Sequence, residues 1–248
     1  MPKYLNFAKK HLLITFNPQT IFKMSNNPSK LIVICALLLV FTACKKSNSS
    51  APDPYMTLTA GSTWNYQQTN NSTPTPVVTN YTISSTTRDS SINGKSYHVF
   101  TNSNGPNQYY NVTGSDYFQF DSIKIATAAQ TIDRLYLKDG ASAGVNWVQN
   151  VTITLMGIPL PVVITNTVAE KGIARTVNSI SYTDVIHLTT SITINNPLIP
   201  PTALTTNINS YYARKFGLIE NSNIVTINFM GLNQNVNTTT KLISATLH

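Results

Sequence analysis

Alternation of apolar and polar residues with a period of two runs through most of the chain from Tyr55 to the end. Within residues 225–229, Val, Ile and Phe alternate with Thr and Asn, and within residues 243–247, Ile, Ala and Leu alternate with Ser and Thr. Successive side chains of a β-strand point to opposite faces, so this period predicts strands with one buried and one polar face. The period of an amphipathic helix is nearly absent. We therefore predict an all-β fold.

Turn-forming residues divide this region into separate strands. Asn93-Gly94 is a strong signal for a two-residue hairpin, and Asn104-Gly105 and Asp139-Gly140 mark further turns. Reading from turn to turn predicts about 10–12 antiparallel strands and one helical turn near residues 126–131. The predicted strands cover residues 62–70, 77–90, 95–103, 108–113, 116–124, 132–138, 146–156, 161–171, 174–195, 203–215, 217–230 and 233–247.

Long strands with polar outer faces favour one large, strongly curved antiparallel sheet or open half barrel over residues 55–248. A β-sandwich is the alternative. Apolar residues make up 42% of the chain, which is enough to bury a core. Charged residues make up only 10%, against about 25% in average soluble proteins. Thr, Asn and Ser replace them, a composition common among β proteins of the cell envelope.

The long apolar run of the chain, Leu31 to Phe41, precedes this region. Extended by Thr42 and Ala43, it would span about 20 Å as a helix, which is short of the ~30 Å hydrocarbon core of a membrane. A preceding Lys30 and a following small residue match a secretory signal. We expect residues 24–43 to be a signal peptide that starts at Met24, and residues 1–23 to be an over-called N-terminus.

The motif Phe41-Thr42-Ala43-Cys44 resembles the bacterial lipobox, whose cysteine becomes the lipidated first residue after cleavage. Phe41 stands where Leu is usual, and plain secretion or a retained anchor are the alternatives. The resemblance implies acyl chains on Cys44 that attach the protein to a membrane, followed by a linker over residues 44–54. With Cys35 removed and Cys44 acylated, disulfides, zinc–cysteine sites and cysteine nucleophiles are excluded.

Positive charge is concentrated in the leader. Five of the 17 Lys and Arg residues, and none of the nine Asp and Glu residues, lie in residues 1–43. Nucleic-acid binding requires clustered cations, and no cluster follows Lys46. We therefore expect no nucleic-acid partner. The residues after Cys44 lack an acidic run that often accompanies surface export, which favours the periplasmic leaflet of the outer membrane over the cell surface.

The segments TLTAGSTWNYQ, SYTDVIHL and YYARKFGLIENS resemble motifs in a diffuse group of bacterial envelope lipoproteins of unknown function. The matching residues are Gly61, Trp64, Tyr66, Tyr211, Tyr212, Ala213, Gly217 and Leu218. Ile219-Glu220 replaces the usual Val-Lys. The resemblance covers residues 57–248 by the order of its motifs. It implies a strongly bent antiparallel sheet, similar to the half barrels of lipoprotein carrier and acceptor proteins, and no established activity.

Titratable residues are few and give no catalytic pattern. Asp184 and His187 lie three apart on a predicted strand and should point to opposite faces. His98 is expected to be a hydrogen-bonded structural residue, and Asp133-Arg134 to be solvated charges at a strand end. The histidine spacing matches no metal motif. We predict no catalytic residue, metal site or cofactor, with a hydrolase as a remote alternative.

Aromatic residues are the better candidates for binding, since binding pockets are lined largely by apolar and aromatic groups. The candidate ligand-binding residues are Trp64, Tyr66, Tyr110, Trp147 and Tyr212. The alternative is that aromatic rings fill the concave core. Gly61 and Gly144 each precede one of the tryptophans by three residues, a weak internal repeat.

We predict a non-enzymatic, lipid-anchored envelope protein that binds an apolar small molecule or lipid in a curved β-sheet. The alternative is a surface adhesion or assembly component that binds glycan or protein. The oligomeric state is left open.

Overall fold

The computed structural model describes residues 52–248, except 126–127, 156, 198 and 230. The predicted leader, with Cys44, lies outside the described residues. The described part forms twelve strands and one short 3₁₀ helix. The strands are β1 Thr63–Asn70, β2 Val77–Ile92, β3 Lys95–Asn102, β4 Gln108–Thr113, β5 Asp116–Ile125, β6 Ala128–Lys138, β7 Asn146–Leu155, β8 Ile158–Val177, β9 Ile180–Ile194, β10 Leu204–Ala213, β11 Gly217–Phe229 and β12 Leu232–Thr246, and the helix is η1 Pro201–Ala203. No helix in this part has the length and apolar character that a membrane crossing requires.

All twelve strands belong to one antiparallel sheet of order β6-β5-β4-β3-β2-β1-β12-β11-β10-β9-β8-β7. The first and last strands pair, with Trp64 opposite Ala245, so the sheet curls round until β6 and β7 face each other. The result is a barrel that is closed except at the seam between β6 and β7. The prediction of an all-β fold with one strongly curved antiparallel sheet is confirmed, and the alternative of a β-sandwich is wrong.

The period-two pattern produces this curvature because each strand presents alternate residues to the interior. In β8, Leu160, Val162 and Ile164 are buried, whereas Pro161 between the first two is exposed. Burial of alternate apolar side chains, aliphatic on some strands and aromatic on others, gives the barrel its core, and Thr, Ser and Asn are common on the other face.

Two predicted boundaries are wrong. The predicted break at residues 172–173 is a β-bulge inside β8, where Gly172 has φ +73° and the register with β9 shifts. The true turn is at Asn178 and Ser179, both with positive φ, which suits a two-residue hairpin. The helical turn predicted near residues 126–131 is also absent from the described part of that range, because β6 already begins at Ala128.

The barrel has two ends, here called proximal and distal. Connections at the proximal end span residues 93–94, 114–115, 139–145, 178–179 and 214–216. Described connections at the distal end include residues 71–76, 103–107 and 195–203.

The segment before β1 packs into the proximal end. Tyr55 is fully buried there, and its hydroxyl donates to the backbone oxygen of Asp184 at 3.0 Å. The Arg214 guanidinium lies 4.5 Å from the Tyr55 ring centre and pairs with Asp184 and with both carboxylate oxygens of Asp139, at 3.2 and 3.3 Å. This contact set fixes the start of the described chain to the proximal end.

Side chains bridge the seam where no backbone ladder does. Trp147 of β7 donates its indole N–H to the Leu135 carbonyl of β6 at 2.8 Å. Gln149 accepts from the Leu135 N–H at 3.0 Å and donates to the Asp133 carbonyl at 2.9 Å. The Gln149 amide thus takes the place of a peptide group from a partner strand.

The two Gly-x-x-Trp segments share one geometry. Gly61 and Gly144 both have φ +86°, a conformation that favours glycine. Gly61 N–H donates to the Ser85 carbonyl, and Gly144 N–H donates to the Val168 carbonyl. In each case the tryptophan follows as the second residue of a strand that begins beside the acceptor strand. The repeat in sequence is therefore also a repeat in structure.

Candidate ligand-binding cavity

The interior of the barrel contains two adjoining cavities. The proximal cavity has a volume of about 220 Å³ and the distal cavity about 310 Å³. Both are lined by Arg134, Tyr136, Ser210, Tyr212 and Asn221. Because they share these walls, they lie side by side, and the two together are here called the lumen.

Four of the five candidate ligand-binding residues meet in the proximal cavity. Trp64, Tyr66, Tyr110 and Tyr212 all line it. Trp147 lines neither cavity, because its indole packs at the seam. The four rings also pack within the aromatic part of the core, so the alternative of a core-filling role describes their contacts as well.

The tyrosines of the lumen remain neutral phenols at ordinary pH. Burial raises the pKa values of Tyr66, Tyr110, Tyr136 and Tyr212 above the usual value for tyrosine. The Tyr66 hydroxyl donates to the Leu218 carbonyl at 2.9 Å. These side chains therefore supply hydrogen-bonding hydroxyl groups and no charge.

Arg134 is the residue that the sequence interpretation missed. Asp133 points outward and pairs with Lys95 at 2.9 Å, whereas Arg134 points into the lumen and donates to the Gln119 side-chain oxygen. Gln119 in turn donates to the Tyr110 hydroxyl at 3.2 Å. Arg134 thus lines the lumen while its side chain remains 36% exposed.

A layer of polar side chains crosses the middle of the lumen. On neighbouring strands, Asn166 lies opposite Thr190, Thr190 opposite Ile208, and Ile208 opposite Asn223. The next layer towards the proximal end contains Ser210 and Asn221, which are also opposite each other. We call these polar side chains the polar belt; its members are Gln119, Arg134, Asn166, Thr190, Ser210, Asn221 and Asn223.

Aliphatic side chains surround the lumen on the distal side of the belt. Ile164 lies opposite Ile192, and Val225 lies opposite Val236. The aliphatic residues that line the distal cavity are Ile132, Ile164, Leu188, Ile192, Leu204, Ile208, Val225, Ile227 and Val236. The lumen is thus polar at its centre and apolar towards the distal end.

Three buried side-chain atoms of the described residues have no hydrogen-bond partner, and all three belong to the polar belt. They are Arg134 Nε, Asn166 Nδ2 and Asn223 Oδ1. The orientation of Asn166 is fixed because its Oδ1 accepts from the Thr190 hydroxyl at 2.7 Å. Buried polar groups are ordinarily satisfied, so the belt has hydrogen-bonding capacity available for a bound molecule or water.

The distal cavity opens to solvent. Four of its lining residues, Asp121, Ser122, Gln234 and Val236, are exposed. They lie towards the distal ends of β5 and β12, and we call this opening the mouth.

A second arrangement, outside the lumen, resembles a catalytic triad in its connectivity. His98 Nε2 lies 2.9 Å from Ser85 Oγ, and His98 Nδ1 lies 2.8 Å from Asp89 Oδ1. However, the Ser85 side chain is buried, and its hydroxyl donates to the Leu58 carbonyl at 2.8 Å. The hydroxyl is therefore bonded within the fold and closed to a substrate.

The structure also places His187 and Asp184, the two residues whose spacing was considered in the sequence. His187 contacts Glu170 and Asn209, each at 2.9 Å, and stacks on the Tyr211 ring. Asp184 lies at the proximal end beside Arg214. His187 and Asp184 therefore do not pair. Their spacing of three residues predicted this result. Among the described residues, no three His, Cys, Asp or Glu side chains group as metal ligands.

Few known proteins are similar to this chain. No family model and no curated protein matches the chain. A crystal structure from Parabacteroides distasonis, described as a candidate lipoprotein, is similar with a TM-score of 0.45 and 10% sequence identity. The similarity covers 79% of this chain and 100% of that one. Both values describe a distant similarity.

Proposed function

We propose that the protein is a non-enzymatic, lipid-anchored protein of the bacterial cell envelope whose lumen holds an apolar ligand or lipid. The observation that supports this most is the distal cavity of about 310 Å³ inside the sheet, with its aliphatic walls and solvent-open mouth. Ligand pockets typically measure about 300–1,000 Å³ and combine apolar walls with a few polar groups. The polar belt supplies such groups.

The anchor in this proposal is Cys44 of the lipobox-like motif, on the periplasmic leaflet of the outer membrane. The described chain begins at the proximal end, where Arg214 donates to the Asp53 carbonyl at 2.8 Å. The first described residues thus lie at the end of the barrel opposite the mouth.

The alternative of a glycan-binding or protein-binding surface has no comparable support. It relied on exposed aromatic rings, but the large apolar side chains most exposed in the described part are Val and Ile, at positions such as Val77, Val78 and Val148. The aromatic rings with candidate binding roles are directed inward.

Lipid extraction tests the proposed function. The full chain with Cys44→Ser, which removes the acyl anchor from the extract, is purified without detergent and its bound compounds are identified by mass spectrometry. We expect close to one apolar molecule per protein. Val225→Trp, which fills the distal cavity, should lower this amount several-fold, whereas Val148→Trp on the outer face should not. Equal amounts in all three proteins, or no bound molecule, would refute the proposal.

A further inference from the structure

We propose that the ligand is a single-chain anionic amphiphile of the fatty-acid type. Its anionic group lies beside Arg134 in the polar belt and its acyl chain lies against the aliphatic residues of the distal cavity. This inference rests on the proposed function and adds the charge of the headgroup and its position in the lumen.

The charge of the headgroup follows from Arg134. A guanidinium stays ionised at all working pH values and offers five N–H donors. Arg134 donates to Gln119, and its Nη2 lies 3.6 Å from the carboxylate of Asp121. Its Nε has no partner. The side chains of Arg134 and Asp121 are 36% and 46% exposed, so solvent screens this pair, and an anion in the belt would accept from the buried, unpartnered Nε of Arg134.

The neighbouring groups of the belt suit an oxyanion. Asn166 Nδ2 is a second donor without a partner, and Thr190 holds it in that orientation. Two oxygens of a carboxylate can accept from two such donors. Asn223 Oδ1 is an acceptor and requires a donor, which a bridging water would supply.

The position of the acyl chain follows from the order of the layers. Aliphatic residues such as Ile164, Ile192 and Val225 lie between the belt and the distal end. An anionic group beside Arg134 therefore places the acyl chain against these aliphatic walls.

Three ligands that share a dodecyl tail and differ in headgroup charge distinguish the effect of charge on affinity from that of apolar contact. Dodecanoate, dodecanol and dodecyltrimethylammonium are each titrated against the full chain with Cys44→Ser, and displacement of N-phenyl-1-naphthylamine is measured. We expect dodecanoate to bind about tenfold tighter than dodecanol, and the cation to bind weakest, since hydrogen bonds to a charged group are the stronger ones.

Variants assign this preference to Arg134. Arg134→Gln should remove the preference for dodecanoate over dodecanol without changing dodecanol binding. Arg88→Gln is the matched control, because Arg88 is exposed on the outer face. Asp121→Asn should strengthen dodecanoate binding a few-fold by removing the competing carboxylate. This variant keeps the test decisive if Arg134→Gln fails to fold.

The outcomes distinguish this inference from the proposed function. Equal binding of the acid and the alcohol by the Cys44→Ser chain, or a preference that Arg134→Gln leaves intact, overturns the anionic ligand and leaves apolar binding standing. Failure of all three ligands to displace the fluorophore overturns both. Crystals with 2-bromododecanoate locate the headgroup. The bromine should lie beside Arg134, and a bromine remote from Arg134 would refute the position assigned to the anionic group.

Discussion

At the scale of single residues, burial decides what the Ser85 side chain can do. Its hydroxyl lies within hydrogen-bond distance of the Leu58 carbonyl and of His98 Nε2, and it is shielded from solvent. The same three side-chain types, with a free hydroxyl and an oxyanion site, would form a nucleophile and its base. Here they join β2, β3 and the segment before β1, which gives them a structural role.

We therefore expect Ser85→Ala to reduce stability. The change leaves His98 Nε2 and the Leu58 carbonyl without a partner, at a cost of about 1–3 kcal/mol in the free energy of unfolding. Urea unfolding measures this loss. Ser91→Ala, at an exposed position of the same strand, should stay within about 0.5 kcal/mol. A loss for Ser85→Ala no larger than that of Ser91→Ala would contradict the structural role.

Period-two reasoning could have found Arg134 before the structure. Arg134 lies two residues from Ile132 and two from Tyr136, both of which face the interior. The scarcity of charge in the chain made a surface position the natural expectation. The layers of the polar belt could not be predicted, because they depend on register between strands that are distant in sequence.

At the scale of elements, one arginine supplies several of the contacts that hold the segment before β1. Arg214 contacts Asp139, Asp184 and the Tyr55 ring, and its side chain is only 20% exposed. The next residue, Lys215, pairs with Asp53, but both of these side chains are more than half exposed. Ion pairs with buried members depend strongly on both partners, whereas exposed pairs contribute little.

Arg214→Met should therefore release the segment. We expect a loss of about 1–3 kcal/mol, since Asp184 loses its cation and Asp139 keeps only Lys171, and faster proteolytic cleavage within residues 52–58. Lys215→Met provides the control and should cost under about 1 kcal/mol. Limited proteolysis followed by mass spectrometry measures the cleavage. Equal protection of the segment in both variants would disprove the role assigned to Arg214.

The seam between β6 and β7 is a second element whose closure depends on side chains. Gln149→Leu removes the acceptor of the Leu135 N–H, so this amide should exchange its hydrogen roughly fivefold faster. Gln130→Leu, at an exposed position of β6, should leave the exchange rate of Leu135 unchanged. Exchange measured by nuclear magnetic resonance tests this. An unchanged rate in Gln149→Leu would mean that another group closes the seam.

The existence of the strands was predictable from the sequence. Along most of the chain, the turn residues fall between the segments in which apolar and polar residues alternate. The break between β8 and β9 was misplaced because Gly172 carries the same signal in a bulge as in a turn. Closure of the barrel was not predictable, since it depends on the pairing of β1 with β12 at opposite ends of the region.

At the scale of the whole molecule, the lumen is lined by several tyrosines. Burial in the folded state keeps their side chains neutral. Burial raises the pKa values of Tyr66, Tyr110, Tyr136 and Tyr212. Above the unfolded value of about 10, the unfolded chain releases these protons and the folded chain retains them. The unfolded state is therefore stabilised as pH rises. The contribution of the buried tyrosines to the stability of the folded state is fully present only below about pH 10.

We accordingly predict a steep loss of stability at alkaline pH. Each of these tyrosines should lower the free energy of unfolding by up to about 1.4 kcal/mol per pH unit above about pH 10. Urea unfolding across this range measures the slope. Tyr136→Phe should reduce the slope by the contribution of one tyrosine. A slope that is the same in this variant, or no loss of stability, would contradict the burial of neutral phenols.

The lumen is the proposed binding site of the ligand. The two tryptophans of the chain are separate fluorescent probes of this binding. Trp64 lines the proximal cavity, whereas Trp147 lies at the seam and lines neither cavity. The decisive measurement is fluorescence quenching by 2-bromododecanoate in Trp147→Phe and Trp64→Phe variants. We predict saturable quenching of Trp64 and little quenching of Trp147. No saturable quenching of Trp64, or equally strong quenching of Trp147, would contradict binding in the lumen.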